Sequence, residues 1–297
     1  MLIISCSHGK IGKKIANSLK IQHFKLVVKK FPDNELYVRL PVDVKNKFVI
    51  LVQSFYGNIA ECFIEVLFAA KTIKELGAKK VMLIAPYFPY FRQDKRFKSG
   101  ECVSIEVIAD IINKYFDYFV VIDPHLHRER RLKDIFKIKA TRLTTTTLIA
   151  DYIKRHVKNP IIIGPDEESS KLISPINRLV KTRALVLKKK RFSAEKVKIY
   201  LSNKISFENK TVVIVDDIIS TGHTLLETIK VVKKLAAKKI ICICVHGIFS
   251  KNAYEKLRKH AKIISTNTIP HKTNKIDITK IICNWLKKKK NKRAKIK

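Results

Sequence analysis

Residues 211–224 read TVVIVDDIISTGHT. The first five, Thr211 to Val215, are all β-branched, the pattern of a strand buried on both faces. Asp216 and Asp217 close the run, and in open α/β sheets ligands bind beyond the carboxyl ends of the strands. Neighbouring strand residues point to opposite faces, so the pair is not spent on one simple ion pair. Ser220, Thr221 and Thr224 then place hydroxyls around Gly222, where a helical pattern begins. Unpaired N–H groups, the positive end of a helix dipole and a glycine that admits close backbone approach make a phosphate cradle. Two carboxylates beside such a cradle suit the vicinal hydroxyls of a ribose. An ordinary capped strand-to-helix turn would use the same hydroxyls. Against it, the chain has only eight glycines and spends one here.

Outward from this stretch the chain alternates strands and helices. FVILVQS, a helix and GAKKVMLIA occupy 48–85; TVVIVDD, a helix and LAAKKIICIC occupy 211–244. Apolar runs separated by helices of ten or more residues indicate parallel sheets with helices on both faces. The internal repeat indicates two duplicated α/β domains, joined near residues 141–160. At the positions of Asp216 and Asp217 the first copy has Gln53 and Ser54, followed by a longer turn. One copy has kept a site that the other lacks or uses differently. Expected domains are 1–145, 146–286 and a basic tail, 287–297.

Composition sets the outer limits. The chain has 297 residues, is 46% hydrophobic and carries a net charge of +37. That apolar content excludes a wholly disordered protein. No run of about 18 apolar residues occurs, so no membrane-spanning helix is expected. The N-terminus turns from apolar to basic, the reverse of a signal peptide. Cysteines at 6, 62, 102, 242, 244 and 283 lack zinc spacing and lie mostly in apolar runs, as reduced thiols of a cytoplasmic protein do. The tail KKKKNKRAKIK has no interleaved aromatics and reads as a solvated segment, with no specific nucleic-acid partner expected.

The 212–224 segment resembles the ribose 5-phosphate/PRPP-binding motif of type I phosphoribosyltransferases and PRPP synthetases. FPDNEL at 31–36, RQDKRFKSGE at 92–101, DPHLH at 123–127, GPDEES at 164–169 and KKKR at 188–191 are ordered as in ribose-phosphate pyrophosphokinases. The resemblance covers nearly the whole chain. It implies two phosphoribosyltransferase-like domains, each a mainly parallel sheet flanked by helices. It also implies Mg²⁺-dependent transfer of a diphosphoryl group from ATP to ribose 5-phosphate.

Carried over residue by residue, the resemblance gives ATP to Phe31, Asp33, Glu35, Arg92, Gln93 and His125. Phe31 would stack on the adenine bound by a neighbouring subunit, which implies a homo-oligomer, at least a dimer. Ribose 5-phosphate falls to Asp216, Asp217, Ser220, Thr221, Gly222, His223 and Thr224. Magnesium falls to His125 and Asp166, and catalysis to Lys189 and Arg191 on a flexible loop. Asp94, Lys95 and Arg96 could form surface ion pairs. His127 is read as structural. Two positions depart from the family pattern: Ser220 is Asp in many members, and His223 is often Gly.

Overall fold

The computed structural model describes residues 1–126, 131–191, 197–200 and 206–294. They form two compact units, Met1–Leu143 together with the C-terminal segment from Thr279, and Thr144–Ile278.

In the first unit the elements are β1 (Leu2–Ser5), α1 (Ile11–Leu19), β2 (Gln22–Lys25), β3 (Val27–Lys30), β4 (Leu36–Arg39), β5 (Phe48–Val52), α2 (Ile59–Glu75), β6 (Lys80–Ala85), α3 (Ser104–Tyr115), β7 (Tyr118–Ile122) and β8 (Lys139–Leu143). Six of the strands form a parallel sheet in the order β2-β1-β5-β6-β7-β8, while β3 and β4 pair as a separate antiparallel hairpin. The second unit contains α4 (Thr146–His156), β9 (Pro160–Gly164), α5 (Ser170–Val180), β10 (Arg183–Val186), β11 (Lys188–Arg191), β12 (Val197–Tyr200), β13 (Thr211–Ile219), α6 (His223–Lys234), β14 (Lys239–Gly247), α7 (Ala253–Leu257), β15 (Lys262–Thr266) and β16 (Asn274–Ile276). Its sheet order is β10-β9-β13-β14-β15-β16, with β11 and β12 apart as a hairpin.

The two orders match strand for strand. In each unit the chain lays down one strand, adds an edge strand on one side, makes a hairpin, and crosses to the other side. The β3–β4 hairpin of the first unit and the β11–β12 hairpin of the second therefore occupy the same topological place. The central strands are buried on both faces, Val49–Val52 in β5 and Val212–Val215 in β13, as parallel strands under two helical layers must be.

The structure refines the sequence reading in four places. First, β13 does not end at Asp217. It runs to Ile219, because the long β14 offers partners as far as His246 and Gly247. Second, the join falls between Leu143 and Thr144, inside the expected 141–160 stretch, which is itself structured. Residues Lys139–Leu143 are the last strand of the first sheet, and α4 buries Ile149, Ala150 and Ile153 within the second unit. Third, α8 (Thr279–Ala294) returns to the first unit, burying Ile282, Cys283 and Leu286 and packing on α1. Residues 279–286 thus leave the expected second domain, and the expected basic tail is helical as far as Ala294. Lys289 Nζ lies 5.3 Å above the Trp285 ring and 5.8 Å above that of Tyr118. Fourth, the charge run 188–191 is strand, not irregular loop: Lys189 pairs with Ile199 and Arg191 with Val197. All six cysteines are free, and Cys102 is the one exposed. Among the described residues no helix is long and apolar enough to cross a membrane.

Candidate active site

The point where strand order reverses in the second sheet lies between β9 and β13, the place where an open parallel sheet leaves a crevice. Asp166 follows β9 by two residues. Its Oδ1 accepts the Ser169 N–H at 3.2 Å, which caps a single helical turn leading into α5. On the adjacent strand, Asp216 and Asp217 are half-buried. Desolvation pushes the Asp216 carboxyl well above the usual carboxylate range, and the charges of Asp217 and Asp166 push it further. The Asp217 N–H, donating to Asp216 Oδ1 at 3.0 Å, works the other way without reversing the shift. Behind them, burial raises the Cys242 and Cys244 thiols, which stay neutral. Asp216 thus feels the charge of both Asp217 and Asp166 across the crevice.

Three residues beyond β13, at Gly222, the chain turns into α6. Gly222 carries φ +74°, a conformation that L side chains avoid. A Cβ there would lie 2.9 Å from Leu257 Cδ1 and 3.3 Å from the Ala253 Cβ of α7, so close packing also demands glycine. His223 opens the helix, and the left-handed position belongs to its neighbour, so histidine fits where the family pattern often has glycine. The first-turn N–H groups of α6 have no carbonyl of their own helix to bond, the arrangement that suits a helix N-terminus to an anion. The Ser220 and Ser250 hydroxyls lie 3.1 Å apart, linking this turn to the loop after β14. Thr224 and Ser220 are half-buried, and Thr221 and His223 are exposed.

The equivalent crevice of the first unit, between β1 and β5, is occupied by the protein itself. The His8 N–H donates to Gln53 Oε1 at 2.9 Å, Gln53 Nε2 donates to Glu65 Oε2 at 3.2 Å, and the Ser7 N–H donates to Glu65 Oε1 at 2.7 Å. Burial raises the Glu65 carboxyl, and desolvation lowers the His8 imidazole, which stacks on Tyr56 at 4.1 Å. The first copy has turned its ligand crevice into a polar lock. Sequence reading flagged Gln53 and Ser54 but missed His8 and Glu65, whose partners lie far away in the chain.

Elsewhere in this unit, adjacent parallel strands bring two expected nucleotide segments to one edge. The 91–101 loop follows β6, and His125 follows β7. Arg92 is exposed and Gln93 half-buried. The Gln93 amide donates within the loop, to the Lys95 carbonyl at 3.2 Å and to Glu101 Oε2 at 3.0 Å. Glu101 is the hub, also accepting from the N–H groups of Phe97 and Lys98, which hold its carboxyl below the usual range. Asp94 is buried, so it forms no surface ion pair, and among the described residues neither of its oxygens has a hydrogen-bond partner. Asp123 carries φ +31° and accepts from Arg142 Nη2 at 3.2 Å, fixing the turn before His125. Phe31, 50% exposed, stands at the end of the β3–β4 hairpin with its ring edge-on to Tyr37 at 5.9 Å. Asp33 and Glu35 are exposed beside it.

Residues 1–115 match the N-terminal domain of ribose phosphate pyrophosphokinase, and residues 132–279 match the phosphoribosyl transferase domain. The ribose-phosphate pyrophosphokinase of Pyrococcus furiosus is 33% identical over 287 residues, covering 96% of this chain and 100% of that protein. That of Saccharolobus solfataricus is 34% identical over 278 residues, covering 91% and 93%. The chain belongs to the ribose-phosphate pyrophosphokinase family. Its fold agrees with the crystal structure of phosphoribosylpyrophosphate synthetase from Mycobacterium smegmatis, with a TM-score of 0.85 and 22% identity over 96% of this chain and 97% of that one.

Within a ribose-phosphate pyrophosphokinase frame, the second unit gathers Asp166, Asp216, Asp217 and residues 220–224 at one crevice. The first unit gathers Arg92, Gln93 and His125 at one sheet edge and holds Phe31, Asp33 and Glu35 on a projecting hairpin. The backbone of Lys189 and Arg191 lies in β11, and their side chains lie outside the described structure, as does His127. Among the described residues no three His, Cys, Asp or Glu form a ready metal-chelating set. A magnesium ion fits the oxygen donors of the β9–β13 crevice all the same. It is commonly held by one or two carboxylates, with water and substrate phosphates completing its shell.

Proposed function

We propose that this chain is a ribose-phosphate diphosphokinase, making 5-phosphoribosyl 1-pyrophosphate and AMP from ribose 5-phosphate and ATP. The C1 hydroxyl of the sugar attacks the β-phosphorus of ATP. The bond from that phosphorus to the α-phosphate oxygen breaks, the β,γ-diphosphoryl group moves in one piece, and AMP leaves. The protein supplies alignment and charge rather than covalent chemistry.

The observation that carries this reading is the β9–β13 crevice, where carboxylates crowd beside a glycine-based anion cradle. The 220–224 turn holds the 5-phosphate. Asp216 and Asp217 orient the ribose hydroxyls, which fixes the attacking C1 oxygen. Asp166 would hold Mg²⁺, which when bound neutralises charge on the phosphate oxygens, and His125 contacts the metal–nucleotide complex. Arg92, too exposed to be a packing residue, binds phosphate, and Gln93 turns its carbonyl oxygen to the adenine amine. Lys189 and Arg191 bring positive charge to the reacting group. Phe31, Asp33 and Glu35 serve the nucleotide of a neighbouring subunit, so the working enzyme is a homo-oligomer, at least a dimer. A solvent-facing aromatic on a hairpin tip supports that assignment.

The test is AMP release from ATP by the purified protein with Mg²⁺, with and without ribose 5-phosphate. The expected result is sugar-dependent AMP in equal amount to 5-phosphoribosyl 1-pyrophosphate. Sugar-dependent ADP instead would mean that the γ-phosphorus is attacked and the reading is wrong.

A further inference from the structure

After β14 the chain makes a short loop, 248–252, before α7. The N–H groups of Ile248 and Phe249 both donate to the Ile219 carbonyl at 3.0 Å, so the loop is tied to the last residue of β13. On its other side, Ala253 and Leu257 of α7 close on Gly222. Between these two anchors Phe249, Lys251 and Asn252 take φ of +50°, +52° and +58°, the left-handed region that residues other than glycine enter at a cost. Ser250 is half-buried among them, with its Oγ 3.1 Å from the Oγ of Ser220. No side chain caps the helical turn that Ser250 opens, and none caps α7. Among the described residues, the contact between them is the one hydrogen bond that either serine side chain makes.

We infer that Ser250 is a positioning residue for the sugar phosphate: it donates to Ser220 Oγ and so turns the Ser220 proton toward the phosphate held by the 220–224 turn. The inference rests on the reading of that turn as the ribose 5-phosphate cradle. Two hydroxyls carry two protons. Their mutual bond uses one, and the other stays available to an anion. A phosphate oxygen draws that proton more strongly than a neutral acceptor does. The bond received from Ser250 polarises the Ser220 hydroxyl in the same direction. An ionised aspartate, the residue that many family members have at position 220, can only accept from Ser250, whereas serine both accepts and donates. The left-handed backbone of 249–252 then has a use, since it holds Ser250 at a fixed place against the end of β13.

The probe is ribose 5-phosphate, titrated calorimetrically with Mg²⁺ into wild type, Ser250→Ala, Ser220→Ala and the double variant. A non-hydrolysable ATP analogue is titrated separately into each. Ser250→Ala should weaken ribose 5-phosphate by about three- to tenfold, the range of one hydrogen bond, and leave the analogue within about twofold of wild type. Ser220→Ala should lose at least as much of the sugar phosphate. In the Ser220→Ala background, Ser250→Ala should cost less than a further factor of about 1.5, because the hydroxyl it positions is gone. A loop merely loosened by the substitution would instead multiply the two single losses, and that result overturns the proposal. Ser250→Cys nearly keeps the shape but has only a weak donor, so it should lose almost as much as the alanine variant, and it serves if the alanine variant fails to fold. Wild-type affinity in Ser250→Cys would assign the effect to packing and overturn the proposal too. Thr224→Ala separates the inference from the reading beneath it. If Thr224→Ala and Ser220→Ala weaken the sugar phosphate while Ser250→Ala does not, the cradle stands and the positioning role falls. If none of the three changes it, the cradle assignment falls as well.

Discussion

Asp216 is half-buried, with a carboxyl pressed by two other carboxyls, and its protonation has a measurable consequence. Its folded-state pKa lies above the unfolded value, so between the two the native protein holds a proton that the unfolded chain has released. Unfolding free energy therefore falls as pH rises through that window. Below the ordinary carboxylate range both states are protonated, and the contribution is fully present. Asp216→Asn should remove this slope, so urea midpoints from about pH 4 to 8 should diverge, with the variant increasingly favoured at the upper end. Parallel midpoints would place Asp216 in an ordinary solvated setting. The residue was legible as a site candidate because two adjacent acids at the end of an apolar run are hard to use otherwise. Its coupling to Asp166 was not, because that depends on β9 and β13 being neighbours. Gly222 was legible as a glycine position, but only the fold identifies Leu257 as the side chain that excludes a Cβ.

The β11–β12 hairpin shows how far sequence reading of an element reaches. KKKR looks like a solvated charge run, and the family resemblance made it a flexible loop. The alternation of Val197 and Ile199 with Lys198 instead lets it pair as a ribbon, in the place that β3–β4 holds in the other unit. A cation that arrives with the transition state lowers kcat when removed, whereas one that holds ground-state ATP raises KM. Lys189→Ala and Arg191→Ala should each reduce kcat on the order of 10²–10³, about 3 kcal/mol or more, with smaller changes in both KM values. The double variant should lose less than the product of the singles if the pair acts as a unit. Near-normal kcat in both folded singles would return β11 to a surface role. The extension of α8 past Leu286 was missed for a related reason: lysines from 287 onward hide the continuation of a helix whose inward stripe ends there.

At the scale of the molecule, duplication was legible because two strand–helix–strand segments repeat in sequence. The fate of the first copy's crevice was not, since Ser7, His8, Gln53 and Glu65 meet only after folding. In the proposed division of labour the second unit holds the sugar phosphate, the first serves ATP, and the hairpin of one subunit completes the site of another. Mixing an inactive Phe31→Ala protein with an inactive Lys189→Ala protein should then restore activity after subunit exchange. Failure to recover despite demonstrated exchange would mean that each chain builds its site alone.

The most direct measurement is calorimetric binding of ribose 5-phosphate and of a non-hydrolysable ATP analogue to Asp217→Ala and Arg92→Ala, each against wild type with Mg²⁺ present. The expected result is selective loss: Asp217→Ala weakens the sugar phosphate by about tenfold or more, one hydrogen-bonded charge removed, and spares the nucleotide. Arg92→Ala does the reverse. If folded Asp217→Ala binds ribose 5-phosphate as wild type does, or if Arg92→Ala loses the sugar and keeps the nucleotide, the assignment of the two ligands to the two units is contradicted.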